Sequence, residues 1–164
     1  MLAGFLQNPK CLLSGLIIIS LTLLAGCGGD SSTYNPNAER PDFAAMIDPA
    51  SVSVDESVFA LGKRGYVQAC YTCHGGDGMG MPGMQPALIG SKKLISDPYW
   101  VIEWVLRGSA SMRAHNSTWP TMMPGHKHLS DKEIAAIISY TRNEFGSGAS
   151  PVSPEMVELV RDAL

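Results

Sequence analysis

Cys70 and Cys73 stand three positions apart, and His74 follows at once. Two thiols at that spacing can each add to one vinyl group on the same porphyrin edge, because the short Tyr71-Thr72 link keeps both sulfurs within reach of it. The histidine then lies beneath the iron, where an imidazole nitrogen can serve as the proximal ligand. Cys-Tyr-Thr-Cys-His is therefore a c-type haem attachment sequence. The competing chemistries are half of a zinc site and a redox disulfide. A closed zinc site needs four ligands, commonly with a second Cys or His pair. The other two cysteines, Cys11 and Cys27, lie in or beside an N-terminal apolar segment and cannot supply one.

The flanking sequence must position these three side chains. From Asp55 to Cys70 an imperfect apolar stripe (Val58, Leu61, Tyr66, Val67, Ala69) predicts a helix running into the motif. Gly62 and Tyr66 share one face of it, so another helix can approach closely at the glycine while the aromatic ring fills the crossing. After His74 comes a stretch rich in Gly, Met and Pro, from Gly75 to Pro86, which predicts a loop around the proximal side. Metal-bound histidines usually donate their second N–H to a fixed acceptor. Pro86, twelve residues on, is a candidate because its rigid ring holds its carbonyl. Asp97-Pro98 opens a second helix as N-cap and N1, with Tyr99, Trp100, Ile102, Trp104, Val105 and Leu106 as core or ring wall and Gly108 as its end.

The distal ligand is expected from residues 109–129, where Met112, His115, Met122, Met123, His126 and His128 all carry suitable donors. His115 fits an ordinary loop histidine. Ser130-Asp131-Lys132-Glu133 is a capping box that starts the clearest helix, with Gly146 as its stop. Ile137 and Tyr140 of that helix can meet Gly62 and Tyr66 across a crossing. A Gly/Ser/Pro linker and a short capped helix from Ser153-Pro154-Glu155 to Leu164 follow, expected to dock on the domain surface.

The first 26 residues stand apart. One cation, Lys10, precedes the apolar run Leu16–Ala25, which ends in Leu24-Ala25-Gly26-Cys27. That is a secretory pattern, and the cysteine after Leu-Ala-Gly makes it similar to a bacterial lipoprotein signal. The resemblance implies cleavage before Cys27, diacylation of Cys27 and a lipid-anchored protein facing the periplasm or cell exterior, with the outer membrane favoured by Gly28 in a Gram-negative host. The alternative is an uncleaved anchor, for which the run is short against the ~20 residues of a span. Residues 27–53 are polar and interrupted by Pro36, Pro41 and Pro49, which predicts a flexible tether. The haem-bearing domain is expected at 54–146, and the linker and short helix at 147–164.

Loss of Lys10 leaves 11 of the 12 basic residues against 15 acidic ones. That balance excludes the basic footprint of a nucleic-acid binder. No thiol remains for a structural disulfide once haem and lipid have taken theirs.

With these pieces assembled, residues 54–146 resemble class I cytochrome c. The matching residues are Gly62, Tyr66, Cys70, Cys73, His74, Pro86, Met123-Pro124 and the last helix with Tyr140. The run from Met123 through Leu129-Ser130-Asp131 to Phe145-Gly146 and Ser153-Pro154 is also similar to bacterial monohaem cytochromes that serve periplasmic dehydrogenases or terminal reductases and oxidases. The resemblance implies an all-α fold wrapped around one covalent haem c, with His74 and Met123 as axial ligands to the iron. Met123 is preferred over Met122 because the family places its ligand directly before proline. His126 and His128 depart from the family pattern, and either one as ligand would lower the potential. The function implied is one-electron transport between redox partner proteins, without catalysis by the chain itself. The alternatives are a haem-based gas or redox sensor and an electron-transfer subunit of a larger respiratory or dehydrogenase complex.

Overall fold

The computed structural model describes residues 41–111 and 119–164. The expectations for Cys11, Cys27, Met112 and His115 lie outside the described residues. Among the described residues, two short 3-10 turns, Phe43–Ala45 and Pro49–Ser51, precede five α-helices: α1 Glu56–Ala69, α2 Tyr71–His74, α3 Pro98–Ser111, α4 Asp131–Glu144 and α5 Pro154–Asp162. Among the described residues there is no strand, only an isolated bridge between Met81 and Gln85. The fold is all-α.

Local chemistry sets the helix ends. Asp55 caps α1 by accepting from the backbone N–H of Ser57 at 2.8 Å and Val58 at 3.2 Å. Ser130 and Glu133 form the reciprocal capping box of α4. Asp97 accepts from the N–H of Tyr99 at 2.9 Å to start α3. Gly108 takes φ 72, so the helical path breaks there before a last turn to Ser111. Ser153 caps α5, with Pro154 at its first position.

α1 crosses α4 at its two glycines. A Cβ on Gly62 would collide with the Ala136 carbonyl and lie 2.7 Å from Tyr140 Cβ, while one on Gly65 would meet Ile137. Tyr140 thus meets the Gly62–Tyr66 face as expected, and Ile137 meets Gly65. The buried Tyr66 ring lies 5.6 Å from Tyr140 and 5.4 Å from Phe145. Its hydroxyl donates to the Gly75 carbonyl at 2.5 Å, tying the crossing to the residue after His74.

Two segments expected at the periphery belong to the core. Within the 27–53 tether, residues 41–53 are not free. Phe43 is buried and stacks on Tyr99 at 5.3 Å, and the Tyr99 hydroxyl donates to the Ile47 carbonyl at 2.5 Å. The C-terminal segment likewise goes inside. Val152, Met156, Val157 and Val160 are buried, with α5 against α3 and α4. Ser139, fully buried on α4, accepts from the Val152 N–H at 2.9 Å and faces its carbonyl at 3.1 Å. Arg142 donates to the carbonyls of Leu94 at 2.6 Å, Ser96 at 3.0 Å and Ser150 at 2.7 Å, joining the approach to α3 with the approach to α5.

Candidate cofactor site

α2 is one helical turn, and its short length is what gathers the motif. Cys73 and His74 donate their backbone N–H groups to the Cys70 carbonyl at 3.1 and 3.0 Å. Gly75 (φ 73) then ends the turn. Cys70, Cys73 and His74 all line one cavity of about 280 Å³. An adjoining apolar chamber of about 120 Å³ extends it between Tyr66 of α1, Trp100 and Trp104 of α3 and Ile138 of α4. The two chambers share Cys70, His74, Trp104, Met123 and His126, and form one cleft.

His74 is buried, with Nδ1 3.2 Å from the Pro86 carbonyl oxygen. A proton on Nδ1 satisfies that carbonyl and leaves the Nε2 lone pair for a metal. Burial holds the imidazole below its ordinary pKa, opposed by the bond to Pro86, and so favours the neutral, ligating form. The loop that delivers Pro86 depends on Gly80. This residue has φ 68, it donates to the His74 carbonyl at 3.0 Å, and a Cβ on it would stand 2.6 Å from the carbonyl oxygens of Gln85 and Pro86. A side chain there would push the loop off the histidine.

The two cysteines form no disulfide. Burial pushes the Cys70 thiol up to about 11, so it stays protonated in the apolar wall. Among the described residues no group of three or more His, Cys, Asp or Glu converges on a point, whereas a closed zinc site needs four ligands.

Met123 lines both chambers of the cleft, whereas Met122 lines only the wider one and is 56% exposed. The backbone of Met123 is clamped to α3. Its N–H donates to Ser109 Oγ at 2.8 Å, and its carbonyl accepts from the Ser109 N–H at 3.0 Å. Two glycines permit that approach. A Cβ on Gly108 would lie 2.5 Å from the Met123 oxygen, and one on Gly125 2.7 Å from the Leu106 oxygen. His126 is also held on α3, its N–H on the Val105 carbonyl at 2.9 Å. It lines both chambers, and its ring lies 5.7 Å from that of the exposed His128. Burial first, then the neighbouring His128, holds His126 below its usual pKa.

Sequence reasoning missed the clamp. Ser109 carried no signal, and Gly108 reads from the sequence only as a helix stop. It also missed Lys93, whose ammonium sits 5.5 Å from the Trp104 ring and 5.6 Å from that of Trp100 at the cleft wall.

An apolar-walled cleft with two thiols and a neutral, oriented imidazole on one wall and a thioether on a clamped loop has the donor set for a covalently held iron porphyrin. The thiols would hold the ring, and His74 and Met123 would supply nitrogen and sulfur donors to the iron.

The family model for Cytochrome c matches residues 59–143. The chain is similar to the cytochrome c subunit of alcohol dehydrogenase (quinone) from Gluconobacter oxydans, at 33% identity over 103 residues, 61% of this chain and 22% of that protein. It is also similar to the subunits of the same name from Gluconacetobacter polyoxogenes and Komagataeibacter europaeus, each at 29% identity over 133 residues, 79% of this chain and 26% of theirs. The chain spans about a quarter of the length of these relatives.

Proposed function

Because the chain belongs to the cytochrome c family, carries covalent haem c and transfers electrons, we propose that it is a one-electron carrier whose iron is held by His74 and Met123. Cys70 and Cys73 form the two thioethers, and the Pro86 carbonyl fixes the proximal imidazole. The observation that carries the reading is the shared cleft. It is lined by both thiols, by the oriented His74 imidazole and by the clamped Met123. With His74 and Met123 both given to the iron, no donor site would be left open for a substrate, and the chain would carry electrons without being catalytic by itself. Thioether and imidazole donors together would favour ferrous iron and raise the potential.

The partner proposed is a dehydrogenase, to which this chain serves as electron acceptor or as cytochrome subunit. The relatives' names support that choice. Lipid on Cys27 would anchor the protein to a membrane on the exported side, consistent with the Leu24-Ala25-Gly26-Cys27 run.

The test is the visible spectrum of the exported, haem-loaded protein, ferric and ferrous, with and without carbon monoxide. Sharp c-type bands, a sulfur-to-iron charge-transfer band in the ferric form and indifference to carbon monoxide are expected. Ready carbon monoxide binding by the ferrous protein would replace the carrier with a sensor. Co-purification after mild detergent extraction, compared with a Cys27→Ser form, tests the partner and the anchor.

A further inference from the structure

His126 lines the cleft and has no part in the carrier chemistry. The residue is 7% exposed, and its Nδ1 is buried and finds no hydrogen-bond partner among the described residues. A buried ring nitrogen left unsatisfied is destabilising. An apolar residue in the same place would avoid that cost. A core histidine kept for packing would be expected to hydrogen-bond a carbonyl or hydroxyl, as the His74 imidazole does.

We propose that His126 is a second distal ligand, standing beside Met123 in the cleft and able to take the sixth position on the iron when the thioether leaves it. The inference rests on the reading of Met123 as the resting ligand. Three features support it. His126 and Met123 line the same two chambers, together with His74. The two are fixed to α3 through separate backbone bonds, Met123 on Ser109 and His126 on Val105, so the methionine side chain can leave while the histidine keeps its anchor. The ring is neutral in its buried setting and offers a lone pair without first losing a proton.

The exchange breaks one iron–sulfur bond and forms one iron–nitrogen bond, with no electron or proton left over. Thioether sulfur is a soft donor that suits ferrous iron, and imidazole competes better for ferric iron. The swap is therefore expected in the oxidised protein, where it would turn a high-potential carrier into a low-potential one.

The experiment is spectroscopy of haem-loaded Met123→Ala. The ferric form is expected to lose the sulfur charge-transfer band yet remain six-coordinate and low-spin. Its ferrous form should bind carbon monoxide at least tenfold more weakly than Met123→Ala/His126→Leu, which corresponds to about 1.4 kcal/mol of competing ligation. The double variant should turn high-spin. Met123→Ala/His128→Leu should stay low-spin. A high-spin Met123→Ala, or a double His126→Leu variant no different from the single, overturns the proposal. Loss of the low-spin form in the His128→Leu background overturns it in favour of His128.

Warming the ferric wild-type protein gives a second measurement that does not depend on a variant folding. A stage with the sulfur band gone and the low-spin spectrum kept is expected. Direct passage from the sulfur-bound spectrum to high-spin overturns the proposal. A wild-type ferric protein lacking the sulfur band at any temperature would instead overturn the Met123 ligation itself, so the two failures are distinguishable.

Discussion

Gly62→Ala isolates the helix crossing that sets the whole site. The added Cβ would overlap the Ala136 carbonyl oxygen and lie 2.7 Å from the Ala136 carbonyl carbon and from Tyr140 Cβ. Those atoms are α4 backbone and the stem of a ring packed on Tyr66, and none can rotate away. Relief must come from moving α4 off α1. Overpacking costs about 1–3 kcal/mol, and backbone contact puts this case at the upper end. Higher helix propensity offsets about 1 kcal/mol. The net loss is about 2 kcal/mol, roughly 6–10 °C in melting temperature for a domain of this size. Gly65→Ala is the control on the same helix, with the same propensity gain. Its Cβ would meet Ile137 Cγ1 and Cδ1 at 2.6 and 2.7 Å, side-chain atoms and not backbone, which an off-rotamer shift can move at about 0.5–1.5 kcal/mol. The two terms nearly cancel, so little change is expected. Thermal unfolding of both haem-loaded variants, followed by circular dichroism and the Soret band, decides the matter. Equal losses at the two glycines, or a neutral Gly62→Ala, would refute the close-contact reasoning.

Ser109→Ala leaves the Met123 N–H without its 2.8 Å acceptor. A loss of about 1–3 kcal/mol, a weaker sulfur charge-transfer band and faster carbon monoxide uptake are expected, read by stopped-flow spectroscopy. Arg142→Lys cannot serve the carbonyls of Leu94, Ser96 and Ser150 at once. It should cost at least one charge-assisted bond, about 1.5–3 kcal/mol, in urea unfolding. His126 has a lowered pKa in the fold, so the unfolded chain binds the proton more readily. The stability this contributes is present above the unfolded value of about 6.5 and is lost as pH falls through the lowered folded value. Melting temperatures should fall on acidification across that window, with a shallower slope in His126→Gln.

Features written in short-range chemistry were legible in the sequence. The capping box of Ser130 and Glu133, the Asp97-Pro98 start and the Ser153-Pro154 start all depend on neighbours within four positions. The Gly62–Tyr66 pair and the His74–Pro86 spacing were also legible, because a glycine on a helix face and a metal-binding imidazole each demand a partner. What escaped depends on distant partners. Phe43 looked like a residue in a polar tether until Tyr99 stood beside it. The C-terminal helix looked like an appendage because its apolar stripe is short, yet Met156 and Val157 complete a core begun by Ile102 and Ile134. Arg142, a cation near a helix end, gave no sign that it would be buried and bonded to three carbonyls. The Met123 clamp also lies outside what pattern can reveal, since Ser109 is an ordinary serine until the chain returns to it.

That return has an evolutionary reading. Ser109 and Met123 bond reciprocally, so the backbone of Met123, the proposed ligand, is held where the excursion between them begins and ends. Closing an excursion twice as long costs only about 0.6 kcal/mol more. The length of chain between Ser111 and Trp119 can therefore change while Ser109 and Met123 keep their bonds, whereas Trp119 and Thr121 line the cleft and are bound to it. Selection for a new partner can act on this excursion separately from selection on the iron, and an engineer can graft a recognition segment at the same place.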